Sequence, residues 1–271
     1  MDSAFPVVFV HGLFGSFAEP AATRHLSPAE FSAPDLRGYG HETEVDVSLE
    51  GQVAALRSHV ESRHPETPVH LVAHSIGAVY AFALADESPD LVESVTTVEG
   101  NFTLADAFWS RSIAALDEDR ARSEIEGRLD DPRAFLAGDA IAATEESLAK
   151  AVDALAYQPW RTVWMSASAI VEATSKPEYQ ELLRRVFARH RVHLVAGERS
   201  AGGWDVPGWA REAAASSTVI PGVGHMMMLE NPDAVGRVHL LHQQREIQTG
   251  GASPNADDVH ARPRSMQTER L

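Results

Sequence analysis

Between Thr67 and Ala85 the chain runs 19 residues without an Asp, Glu, Lys or Arg, and no other stretch limits the possible folds so tightly. Its length approaches that of a membrane-crossing helix. Pro68, His70, His74, Ser75 and Gly77 fall in its first half, however, and argue against a span. The segment reads instead as a buried strand from Val69 to Ala73, a sharp turn at Ser75 and a buried helix from Gly77 to Ala85. Within it, Ala73-His74-Ser75-Ile76-Gly77 sets a serine between two small residues, after an apolar run and before a helix. This is the nucleophile-elbow pattern G-x-S-x-G with Ala73 in place of the first glycine. Small flanking residues are required because larger side chains would clash with the neighbouring strand or helix. Such a turn lifts the hydroxyl above the sheet and puts a helix N-terminus behind it, which favours developing negative charge.

Other segments repeat the alternation of strand and helix. Pro6 to Val10, Ser94 to Val98 and Val192 to Ala196 are apolar or β-branched runs of strand length. Ser48 is a fitting N-cap for a helix over 49–64, where Leu49, Val53, Leu56 and Val60 recur at helical spacing. Strands alternating with helices imply an α/β fold with a mainly parallel sheet flanked by helices. Residues 103–188 break the rhythm: they are helix-like throughout, with Pro132, Pro159 and Pro177 marking breaks. A helical lid or cap inserted over the end of the sheet is expected there, on a core of residues 1–102 and 189–247. From 248 to 271 the chain is polar and rich in breakers, which reads as a disordered tail.

Composition removes several chemistries. With no cysteine, disulfides, a thiolate nucleophile, Fe–S clusters and Cys-ligated zinc are excluded. A net charge of −16 argues against nucleic acid or an anionic membrane as the main partner. The first residues carry Asp2 and no basic run, so no secretory leader is read there and a cytoplasmic location is expected. Thirteen histidines show no pair at ligand spacing with a carboxylate, so neither a metal nor a cofactor is expected.

Three further motifs follow in order. His11-Gly12-Leu13-Phe14-Gly15 closes the first strand, and Asp35-Leu36-Arg37-Gly38-Tyr39-Gly40 forms a glycine-rich loop after the next. Pro221-Gly222-Val223-Gly224-His225-Met226 comes late, ahead of Glu230-Asn231-Pro232. Together with the elbow, over roughly residues 5–240, the chain resembles the α/β-hydrolase superfamily in its serine-nucleophile esterase, lipase and lactonase branch. The resemblance implies the α/β-hydrolase fold, with Ser75 as nucleophile and His225 as general base. By the same resemblance the backbone N–H groups of Leu13 and Ile76 form the oxyanion hole, and His11 is structural.

The acid departs from the family's commonest pattern, in which an Asp ends a G-x-x-D string after the strand before the histidine loop. Here that string is Gly197-Glu198-Arg199-Ser200. Glu99, closing the strand SVTTV, is the first choice for the acid, since some lipase and lactonase branches place theirs at that strand end. Asp205, after a short extension, is the second, and Glu198 the third. Such a triad implies hydrolysis of a carboxylic ester or lactone through an acyl-enzyme, on a small-molecule substrate. Epoxide hydrolases and haloalkane dehalogenases of the superfamily use an Asp where Ser75 stands. Thioesterases and C–C bond hydrolases share the triad, while cyclases, perhydrolases and ligand receptors share the fold; these stay open as alternatives. Phe14, His74, Phe102, Phe108, Trp109 and Trp164 are the expected substrate-pocket residues.

Overall fold

Val7–Val10 is apolar at every position, and as strand β1 it is buried at every position. A strand covered on both faces belongs inside a parallel sheet, and β1 sits between two parallel neighbours. The computed structural model describes residues 5–17, 20–24, 26, 30–40, 47–237 and 269–270. The further strands are β2 (Phe31–Ser32), β3 (Val69–His74), β4 (Val92–Val98), β5 (Arg191–Gly197), β6 (Ser216–Ile220) and β7 (Glu269–Arg270). They form one sheet in the order β2-β1-β3-β4-β5-β6-β7, every pair parallel. Of the expected tail, only Glu269–Arg270 is described, paired with β6; the rest lies outside the described residues.

Helices cover both faces: α1 (Pro20–Thr23), α2 (Leu49–Arg63), α3 (Gly77–Glu87), α4 (Phe108–Ala114), α5 (Glu118–Asp130), α6 (Pro132–Gly138), α7 (Glu145–Ala156), α8 (Trp160–Thr174), α9 (Pro177–Arg189), α10 (Gly208–Ala213) and α11 (Met227–Glu230). Residues 232–237 are helical as well. Alternation along β1 divides the core. Val8 and Val10 join Leu71 and the helices of one face, while Val7 and Phe9 join Val72, Val98 and Met227 on the other. Among the described residues no helix is long and apolar enough to cross a membrane.

The charge-free stretch folds as β3, a turn and α3, buried from Gly77 to Ala85. Ser48 caps α2, its Oγ accepting from Gly51 N at 3.1 Å. Helices α4 to α9 stand between β4 and β5, and the three prolines read as breaks sit at helix starts. Pro132 opens α6, Pro177 opens α9, and Pro159 is the N-cap of α8. A proline costs nothing there because the first-turn N–H has no intrahelical partner to lose.

Gly77 shows how closely α3 approaches β1. A Cβ at this position would lie within 2.6 Å of the Val10 carbonyl oxygen and nearer still to that of His11. Gly77→Ala is therefore expected to destabilise the protein by about 1–3 kcal/mol, the usual range for overpacking. Gly127, inside α5 with nothing within 4 Å of its would-be Cβ, serves as the control. Gly127→Ala should stabilise by about 0.5–1 kcal/mol. Urea unfolding reads both, and a Gly77→Ala variant as stable as the parent would contradict the tight approach.

Candidate active site

Parallel strands in this order bring four C-terminal ends to one edge of the sheet, where ligands of α/β folds bind. His74 pairs with Val98, Val98 with Val195, and Gly197 with Ile220. The residues just beyond these ends are Ser75 after β3, Glu99 after β4 and the loop to His225 after β6. Ser75 has φ of 52° and Glu99 φ of 43°, a left-handed backbone that L-residues adopt at a cost of about 1–3 kcal/mol each. Both are held there by their neighbours. Ser75 N donates to the Val98 carbonyl at 3.1 Å and Glu99 N to that of Val195 at 2.9 Å.

These three side chains meet. Ser75 Oγ lies 3.3 Å from His225 Nε2, and His225 Nδ1 lies 2.8 Å from Glu99 Oε2. The other Glu99 oxygen accepts from Gly197 N at 2.8 Å and from Ser200 Oγ at 2.5 Å. Glu99 is nearly inaccessible, its side chain 3% exposed. With both oxygens accepting, the carboxylate accepts a hydrogen bond from Nδ1–H, which leaves the Nε2 lone pair toward the serine. The other two carboxylates lie elsewhere. Asp205 is exposed and accepts from Thr103 Oγ1 at 2.7 Å, while Glu198 accepts from Gly222 N at 3.0 Å. Ser200, at the position where the family's common pattern carries the acid, donates to Glu99.

Two buried histidines flank the serine turn. Leu36 N donates to His11 Nε2 at 3.0 Å, and His11 Nδ1 donates to the Gly12 carbonyl at 2.9 Å, a pattern open only to the neutral ring. Burial lowers the His11 pKa to about 4. His74 Nε2 donates to the His225 carbonyl at 3.0 Å, and its ring lies 4.8 Å from that of His225. Burial, and then the neighbouring His225, hold His74 neutral well below the ordinary imidazole range.

Sequence reasoning missed Asp139, which follows α6 in the helical segment. Its carboxylate accepts from His225 N at 3.2 Å and Met226 N at 2.7 Å, clasping the histidine loop from outside the sheet. Burial raises its pKa, against the pull of these N–H groups. Arg199 braces the same corner, donating to the Asp139 carbonyl at 2.9 Å and to Glu230, whose Oε2 takes Gly224 N at 2.8 Å. No local pattern marks Asp139, because its partners lie 86 and 87 positions away.

Around Ser75 and His225 is a pocket of about 20 Å³ lined by Leu13, Ile76, Phe14, His74, Phe108 and Trp109. Phe108 is half exposed and meets the His225 ring edge-on, centroids 5.9 Å apart. Two residues expected at the pocket are placed elsewhere. Phe102 is fully buried among Phe82, Phe187 and Trp204, because its segment turns inward to fill the core. Trp164 lines a separate groove with Leu49 and Glu50 of α2 and is not among the residues lining the pocket at the serine. Trp109 also borders a groove of about 690 Å³ over α5 and α6, with Arg120, Glu124, Arg128 and Phe135. Among the described residues no group of three or more His, Asp or Glu is arranged to hold a metal ion.

A family model described as the alpha/beta hydrolase family matches residues 7–238, taking in every one of these groups. The chain belongs to the alpha/beta hydrolase family. Among solved structures, a carboxylesterase of Nitrososphaera gargenis aligns with TM-score 0.65 and 15% identity, covering 92% of each chain. The haloalkane dehalogenase DatA of Agrobacterium tumefaciens aligns with TM-score 0.65 and 19% identity, over 90% of this chain and 91% of that one. These likenesses are of fold. Among curated proteins, the probable lysophospholipase BODYGUARD 2 of Arabidopsis thaliana is 33% identical over 108 residues, 33% of this chain and 21% of that protein. BODYGUARD 5 of the same plant is 33% identical over 122 residues, 41% of this chain and 27% of its own. The chain thus spans about a quarter or less of the curated relatives it matches.

Two measurements check this environment. His11 stays neutral in the folded protein to about pH 4, whereas the unfolded chain takes up that proton near pH 6.5. Stability should therefore fall as pH drops through this window, by about 3 kcal/mol from His11, with His74 acting in the same direction. His11→Asn should flatten the slope in urea unfolding at pH 6.5 and 4.5; an unchanged slope would remove His11 as its source. Asp139→Ala should speed amide exchange at His225 and Met226 about tenfold or more while β3 and β4 keep their protection. Equal exchange in both proteins would show that the carboxylate does not hold the loop.

Proposed function

We propose that the protein hydrolyses carboxylic esters, lactones included, through an acyl-enzyme on Ser75, with His225 as general base and Glu99 as the acid. The observation that carries this reading is the relay of hydroxyl, imidazole and buried carboxylate, 3.3 and 2.8 Å from link to link, at the strand ends. In the first half-reaction Oγ attacks the ester carbonyl as Nε2 accepts its proton. The carbonyl oxygen, now negative, is held by the N–H groups of Leu13 and Ile76, both residues of the pocket wall. Collapse expels the alkoxide, which takes the proton from His225. Water then attacks the acyl-enzyme by the same steps, giving the acid and restoring Ser75.

Glu99 orients the imidazole and stabilises its charged form. Gly197 N and Ser200 Oγ occupy its second oxygen, so only one is left for His225. A hydroxyl in place of a carboxylate at the turn supports acyl transfer over the alkyl transfer of dehalogenases that share the fold. The lysophospholipase names of similar proteins point the same way. Residues 103–188 act as a lid in this reading, with Phe108 and Trp109 standing over the histidine and the pocket.

Ser75→Ala should abolish turnover of p-nitrophenyl esters and labelling by a fluorophosphonate; turnover that survives refutes the nucleophile. Glu99→Gln should lose about 10³–10⁴-fold in kcat while Asp205→Asn stays within a few-fold. The reverse order would move the acid to Asp205. Trp109→Ala should open the pocket into the neighbouring groove and raise kcat/KM for octanoyl over acetyl esters about tenfold. An unchanged chain-length profile would show that Trp109 does not limit the acyl group.

A further inference from the structure

Asn101 follows Glu99 by two residues, is 2% exposed and lines the pocket with Ser75 and His225. Its side-chain Oδ1 is buried and has no hydrogen-bond partner among the described residues. Several neighbouring polar groups of the segment are engaged. Gly100 N donates to Thr97 Oγ1 at 3.1 Å, and the Gly100 carbonyl accepts from Trp204 Nε1 at 2.7 Å. The Asn101 carbonyl accepts from Tyr179 Oη at 2.6 Å, and Phe102 N donates to Asp106 Oδ2 at 2.9 Å. The backbone is also jammed in place, since a Cβ on Gly100 would collide with Ala78 Cβ and Thr97 Oγ1. The backbone that carries this amide is thus held in place beside Ser75 and His225.

A buried amide oxygen without a partner is costly and uncommon in folded proteins. The other buried unpartnered side-chain atoms of the described residues are Arg37 Nε, Tyr80 Oη, Trp164 Nε1 and Ser166 Oγ, and none of these residues lines the catalytic pocket. The nearby Asp106 carboxylate is taken up by Phe102 N, Thr103 N and Asp205 N. His74 is committed to the His225 carbonyl.

We propose that Asn101 is a specificity residue whose side-chain oxygen accepts a hydrogen bond from a hydroxyl or N–H that the substrate carries beside its scissile carbonyl. The proposal rests on the ester-hydrolase reading of Ser75 and names its preferred substrate class: esters bearing a hydrogen-bond donor close to the reacting carbon. The pocket that Asn101 lines with Ser75 and His225, about 20 Å³, has room for one group the size of a hydroxyl. An ester with a methyl there leaves the amide unpaired in the transition state and is discriminated against accordingly.

The test compares matched esters. On the acyl side these are p-nitrophenyl 2-hydroxypropanoate and 2-methylpropanoate; on the alcohol side, 2-hydroxyethyl butanoate and propyl butanoate. Each pair exchanges a hydroxyl for a methyl of similar size. Taking the kcat/KM ratio of each pair relative to the same ratio in Asn101→Leu cancels the intrinsic reactivity of the esters. The wild type should favour the hydroxylated member of one pair by about tenfold to hundredfold more than Asn101→Leu does. Which pair responds tells which side of the ester bears the donor. A cooperative thermal unfolding transition like the parent's reports that Asn101→Leu folds, and Asn101→Asp, which keeps the acceptor, should keep the preference. Equal ratios in wild type and Asn101→Leu for both pairs, with Ser75→Ala inactive, overturn the Asn101 assignment alone. Ester turnover that survives Ser75→Ala, or none in the wild type, overturns the Ser75 reading and this inference with it.

Discussion

Glu99 and His225 meet across the ends of strands that are not neighbours, and most of the surrounding construction serves that contact. Glu99 leaves β4 with a left-handed backbone so that its carboxylate turns along the strand ends toward the loop after β6. Gly197 N and Ser200 Oγ, both at the end of β5 between them, fill the other oxygen. A buried carboxylate is tolerated only when its oxygens are paired in this way. The imidazole in turn is fixed from its backbone side, by Asp139 on its N–H and His74 on its carbonyl.

Strain and rigidity are concentrated at this edge. Glu66, Ser75, Glu99 and Ala140 are the described non-glycine residues with positive φ; two of them belong to the relay and Ala140 adjoins Asp139. Backbone held in such conformations persists only where the surroundings over-determine it. Here the parallel sheet and the closely packed α3 supply that rigidity, and at Gly77 the helix leaves no room for a Cβ against the Val10 and His11 carbonyls. The helical segment between β4 and β5 contributes in two ways. It clasps the histidine loop through Asp139, and it sets Phe108 and Trp109 around the serine.

Local pattern and chain order were enough for much of this. The run from Val69 to Ala85 shows strand, turn and helix because its apolar residues and small flanks serve contacts within a few positions of each other. Ser48 and Pro132, Pro159 and Pro177 announce helix starts for equally local reasons, an N–H to be capped or one that can be dispensed with. Aromatic residues were less readable. Phe102 and Trp164 have the same composition signal as Phe108 and Trp109, yet one fills the core and the other faces α2. An apolar ring is equally suited to a core and to a pocket, and only its direction separates the two.

The sequence by itself determined the parallel α/β architecture, the serine at the tight turn and the histidine of the late loop, because each is written in consecutive residues. Which carboxylate reaches the imidazole was open among Glu99, Asp205 and Glu198. Only the tertiary structure decided their placement: Glu99 stands against His225, Asp205 against Thr103 and Glu198 against Gly222. The physical reason is that the contact spans 126 positions in sequence and depends on strand order and register. The same holds for Asp139 and for the unpaired amide of Asn101. Their surroundings are assembled by packing between distant segments, and no periodicity or motif along the chain records them.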